Sequence, residues 1–203
     1  MCQHTGRFRI SMPSSKTALF FACVVNLNAA LGLQHDNASD AVESLHAYAK
    51  FKAGEYQQAR EIWQRLADRG NTTALINLAN LFQQGMGVEP NPKQALDLIR
   101  QAAALGDARA QYELGIEYEK GRLVKRDLQQ AAHWLLQSAL QENADGQFAY
   151  GILLATAFGQ GLSLTTEHQR NEALEWLKKA QANGHPDARP YIQLLQDFKK
   201  TVP

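Results

Sequence analysis

Residues 110–134 read AQYELGIEYEKGRLVKRDLQQAAHW, and this stretch decides the fold. Ala110, Leu114, Gly115 and Tyr118 recur at helical spacing, so a helix with one apolar face is expected there. Gly121 ends it, because glycine takes left-handed backbone at a helix C-terminus without steric cost. Asp127 then reads as the N-cap of a second helix, with Gln130 three residues on completing a weak capping box. Ala131 and Trp134 begin the apolar face of that helix. The stretch is a helix, a glycine-containing loop and a second helix.

The unit repeats. Ala74, Leu78, Ala79 and Phe82 align with Ala110, Leu114, Gly115 and Tyr118, and these with Gly146, Tyr150 and Gly151. Ala59, Ala95 and Ala131 are spaced by 36 residues, as are Gly85 and Gly121. Second helices align through Ala95-Leu-Asp-Leu98, Ala131-Ala-His-Trp134 and Ala173-Leu-Glu-Trp176. The last spacing is 42, with six extra residues around Gly159-Gln-Gly161. Pro90 and Pro92 set the start of one second helix. Gly70, Gly106 and Gly184 close second helices, and Asn143 is expected to take the same left-handed geometry in the third unit. Ala79, Gly115 and Gly151 share one position, where a small side chain lets two backbones approach, while Trp134 and Trp176 anchor second helices in the core. A fixed period of this length is the mark of a stacked helical-repeat solenoid.

These residues resemble the Sel-1-like repeat, a relative of the tetratricopeptide repeat. The resemblance covers residues 41–187. Ala47-Tyr48, Phe51, Gly54 and Tyr56 in the first unit are closer to a tetratricopeptide repeat, and the last unit departs by its longer loop. The division expected is 1–33 a removed signal peptide, 34–73 a tetratricopeptide-like unit, then Sel-1-like repeats at 74–109, 110–145 and 146–187, and a capping helix and tail at 188–203. The resemblance implies an all-α right-handed superhelix of antiparallel helix pairs, about four repeats long, with first helices lining a concave face. It also implies scaffold or adaptor work, often in exported bacterial proteins, some of them resembling parts of machines for polysaccharide export, flagellar motors or host contact. A cysteine-rich branch is linked to β-lactam binding. That branch carries a cysteine pair in each repeat, and this chain has no cysteine after Cys23, so that activity is not carried over.

The first 33 residues differ from the rest. Arg7, Arg9 and Lys16 precede an apolar run from Thr17 to Val25, and Ala30-Leu31-Gly32 supplies small residues. This is the order of a secretory signal, with Met12 an alternative start. The run is too short and too interrupted by Asn26 and Asn28 to span a membrane comfortably. Phe20 spoils a lipobox at Cys23, so a lipid anchor is not expected. Removing the segment takes three basic and no acidic residues, which moves the net charge from +1 to about −2. The expected location is the periplasm or outside the cell.

Chemistry is hard to find. No His-Glu-x-x-His and no Cys-x-x-Cys occurs, so no metal and no cofactor are expected. His133 reads as a surface or boundary residue. Gly85-Met-Gly87 and Gly159-Gln-Gly161 read as helix ends rather than phosphate loops. No Gly-x-Ser-x-Gly is present, and no nucleophile, base and oxyanion site come together. Lys120, Arg122, Lys125 and Arg126 form a basic loop without interleaved aromatics, a poor nucleic-acid signal. Glu113 and Glu117 lie one turn apart and read most simply as solvated charges beside Lys120 and Arg122.

The function expected is non-catalytic protein binding in the envelope, with protein partners on the concave face and the chain a monomer or weak dimer. The alternative is a cell-wall hydrolase or β-lactam-binding protein of the same repeat family. Groove positions are those off the Leu78, Ala79 and Phe82 packing face: Asn77 and Glu113 at one register, Asn80, Ile116 and Ile152 at another, with Glu117 beside them. A self-assembling stack is the third possibility, opposed by the polar residues Asp197, Lys199 and Lys200 of the final helix.

Overall fold

The computed structural model describes residues 39–156 and 166–201, without the side chains of 198–201. The signal segment, both cysteines, and the loop with Gly159 and Gly161 lie outside the described residues. The chain divides into two units, Met1–Glu43 and Ser44–Pro203. Of the first, only residues 39–43, which open helix α1 (39–52), are described. All the later helices belong to the second unit.

Helices α2 (Tyr56–Asp68), α3 (Thr72–Gln84), α4 (Pro92–Ala104), α5 (Ala108–Lys120) and α6 (Leu128–Leu140) are each 13 residues long. Helices α7 (Ala144–Ala155), α8 (Glu167–Ala182) and α9 (Ala188–Thr201) complete the series. No strand occurs among the described residues. Each helix packs on the next, so the second unit is an all-α solenoid of helix pairs.

The residues that start and stop these helices recur with the repeat. Asn71, Asp107 and Asn143 cap α3, α5 and α7, each side chain accepting from the backbone N–H three residues on, at 3.0, 2.9 and 2.8 Å. Gly85 and Gly121 close α3 and α5 with φ of 70° and 68°. At Gly121 a Cβ would also lie 2.7 Å from the Arg126 Cβ, so glycine is required there for space and conformation alike.

Two local expectations are corrected. Asn143 is not left-handed; it is the N-cap of α7 at φ −67°, and the positive φ falls on Glu142, at 62°. Glu142 occupies the register of Gly106 and Gly184. The closing turn is set by its hydrogen bonds, Glu142 N–H to Ala139 O and Asn143 N–H to Ser138 O, rather than by residue type. Asp127 caps α6 through Gln129 and Gln130, but no reciprocal box forms, because its own N–H already donates to Tyr118 O at 2.9 Å. A full box is found instead at Thr166 and Gln169, opening α8.

The core follows the repeat and falls into two clusters, a first from Ala47 to Leu114 and a second from Ala131 to Leu195. Ala59, Ala95, Ala131 and Ala173 are all buried at one position. A Cβ on Gly115 would stand 2.7 Å from the Leu135 Cγ, and one on Gly151 3.0 Å from the Leu177 Cγ. These glycines let α5 and α7 lie against the helices that come after them, as their shared register suggested. Trp63 is buried, whereas Trp134 and Trp176 are half-buried. Trp176 packs edge-on against Tyr150 and carries Lys179 over its outer face. Helix α9 keeps the first-helix register, with Ala188, Ile192 and Leu195 buried and Tyr191 and Leu194 exposed.

Candidate functional site

Helices α3 and α5 stand side by side in the solenoid with α4 beneath them. The α3 face toward α5 carries Ala79, Asn80 and Gln83, two of them short polar or small side chains. Tyr112, Glu113, Ile116 and Glu117 of α5 face it, and Tyr112 and Ile116 are also packed against the second core cluster. Between α3 and α5 lies a cleft of about 340 Å³. Ala95, Leu96 and Ile99 of α4 form its floor, and Arg122 and Leu123 from the α5–α6 loop close one end.

An apolar floor with a few converging polar groups is the usual build of a binding site. Arg109 Nε donates to Glu113 Oε1 at 3.0 Å along α5. Arg122 pairs with Glu117 from the loop. Arg126 Nε donates to Glu119 O at 2.9 Å, so Arg122 and Arg126 of the loop both turn back onto α5. Burial raises the Tyr112 hydroxyl pKa above 10.0, with Asp145, Glu113 and Glu119 adding to the rise.

The cleft brings together Asn80, Glu113, Ile116 and Glu117 of the six groove residues read from the sequence. Asn77 is half-buried and does not line it, and Ile152 lies on the far side of α5, packed in the second cluster. Gln83, Arg109, Tyr112 and Leu123 also line the cleft, and sequence spacing did not point to them. Arg109 had a signal, since it stands one turn before Glu113 with opposite charge. Glu117 is not a solvated charge. Its side chain is 13% exposed, because its register places it on the packing face of α5.

His133 is exposed and lies edge-on to Trp134. No group of three or more acidic, histidine or cysteine residues able to hold a metal occurs among the described residues. No helix among them is long and apolar enough to cross a membrane.

Comparison with known proteins matches this architecture. Residues 72–107, 108–143 and 144–185 each match the Sel1 repeat. Among solved structures, a Sel1 repeat protein from Oxalobacter formigenes is 29% identical, with a TM-score of 0.68, covering 79% of this chain and 63% of that one. This chain thus spans under two thirds of that relative's length. The protein c5321, a protective antigen of uropathogenic Escherichia coli strains displaying an SLR fold, is 24% identical at a TM-score of 0.47, covering 66% of this chain and 35% of that one. Immunity protein Pa5087 from Pseudomonas aeruginosa is 21% identical at a TM-score of 0.40, covering 74% of this chain and 68% of that one. No curated protein matches significantly. With three repeats matched over more than half its length, the chain belongs to the Sel1 repeat family.

Proposed function

We propose that this chain is a non-catalytic adaptor of the bacterial envelope that holds a segment of a partner protein in the cleft between α3 and α5. Sel1 repeats generally mediate protein–protein interaction, and the observation that carries the placement is the cleft itself. It is an open, apolar-floored space on the first-helix face, rimmed by amides on one side and ion pairs on the other. A helix or extended peptide could lay apolar side chains on Leu96, Ile99 and Ile116 and bond its polar atoms to Asn80 and Gln83. Support for export is the order of charge, apolar run and small residues before residue 34, together with the absence of cysteine from the rest of the chain.

Asn80→Trp tests the placement, since an indole at that rim would fill the cleft without entering the core. Partner proteins recovered from the envelope fraction by wild type should be lost by the variant at unchanged helicity. Undiminished recovery would place binding elsewhere. Sequencing the N-terminus of protein from its native cells tests export, and an uncut terminus would remove that part of the proposal.

A further inference from the structure

Glu117 occupies the repeat position filled by Leu81, Leu153 and Leu195, which are 1%, 2% and 3% exposed. The fold asks for a core leucine there, and in this one repeat it holds a carboxylate, 13% exposed. Arg122 pairs with one carboxylate oxygen. The other, Oε2, is buried and meets no donor among the described residues. A carboxylate taken out of water costs stability unless its lone pairs are met by donors. Leucine would avoid that cost, which the Arg122 pair offsets only at one oxygen, the pattern expected of a residue kept for function.

The surroundings indicate what is missing. Charge in the cleft is ordered by depth: Glu117 and Glu113 are 13% and 32% exposed, whereas the partners Arg122 and Arg109 are 59% and 61% exposed. The interior is thus anionic and the rim cationic. Ile99 in the floor and Ile116 on α5 line the same cleft as the carboxylates and suit the methylenes of a long side chain. Building on the adaptor reading above, we infer that the cleft receives a lysine or arginine side chain projecting from the partner segment. Its terminal N–H groups complete Glu117 Oε2, and its stem lies along Ile99 and Ile116. Arg109 and Arg122 at the rim are then placed to meet acidic groups flanking that cation on the partner. The required ligand is a protein segment with one inserted basic side chain, acidic on either side of it.

Random-peptide display on the whole chain, in wild type and in Glu117→Leu, Glu117→Gln and Asn80→Trp, tests this. Glu117→Leu restores the residue of the sister repeats and should fold with at least wild-type resistance to urea. Glu117→Gln keeps the shape and carries the comparison if the leucine variant fails to fold. The expected result is a family of peptides with one fixed Lys or Arg, lost on Asn80→Trp. Their affinity should fall about 30-fold or more on Glu117→Leu, and less on Glu117→Gln. Basic peptides that bind the Glu117 variants as well as wild type would overturn the inference. So would peptides lost on Asn80→Trp but lacking a fixed basic residue, and in that case the adaptor reading would stand. If no selected peptide depends on the cleft, both fail.

Discussion

Gln141 Nε2 donates to Gln111 Oε1 at 2.8 Å across 30 residues of chain, and Asn183 Nδ2 repeats the contact on Gln147 Oε1 at 3.0 Å. Each buried glutamine also reaches back, Gln111 to Ala103 O and Gln147 to Ala139 O. The end of one second helix is thus tied through a glutamine to the end of the next. In the preceding repeat the same two register positions hold Leu75 and Leu105. The pair is polar or apolar as a unit, which follows from the cost of leaving one buried amide without its partner.

A double-mutant cycle exposes that coupling. Gln141→Leu strands the buried Gln111 oxygen and should cost about 1–3 kcal/mol. Adding Gln111→Leu installs the two leucines that the preceding repeat carries at these positions, Leu75 and Leu105, and should recover most of the loss. Urea denaturation of the four proteins measures this, and strictly additive losses would show that the two positions act independently.

Gly146 and Ser138 form a second matched pair. A Cβ on Gly146 would stand 2.4 Å from Ser138 Oγ, which itself donates to Ala108 O at 2.6 Å. The equivalent positions hold Ala102 with Ala110 and Ala180 with Ala188. Gly146→Ala alone should destabilise by about 1–3 kcal/mol through overpacking. Combined with Ser138→Ala, it should return close to wild type in thermal denaturation.

Alkaline stability follows from the tyrosines. Burial raises the pKa of both Tyr112 and Tyr150 above 10.0, aided by nearby carboxylates, Glu172 in the case of Tyr150. The folded state therefore holds these protons more tightly than the unfolded chain does. Their contribution is complete below pH 10 and is lost as pH rises through the folded-state values. Stability should fall with pH above about 10, and Tyr112→Phe with Tyr150→Phe should flatten that fall. Denaturant midpoints between pH 8 and 11 provide the check.

Much of this architecture was legible in the chain. The 36-residue period, the glycines that end first helices, and the small residues at Ala79, Gly115 and Gly151 all arise from local sterics, so residue type reveals them. The left-handed residue of the third repeat was not legible, because Glu142 takes that backbone through its place in a hydrogen-bonded turn. The capping box at Asp127 failed for a similar reason: a distant carbonyl, Tyr118 O, had already taken the donor. For the site, spacing found Asn80, Glu113, Ile116 and Glu117 but could not show that Ile152 belongs to the packed side of α5. The burial of Glu117 had one sequence signal, its register with Leu81 and Leu153, which outweighs the nearby charges that made it look solvated.

Site-specific photocrosslinking in the native cells tests the binding claim most directly. A photoreactive phenylalanine derivative at Asn80 lies on the cleft rim, and the same residue at Gln101 lies on an exposed face of α4 outside it. The account predicts one or a few discrete protein adducts from position 80 and none from position 101. Adducts from position 101 alone, or equal adducts from both, would contradict it.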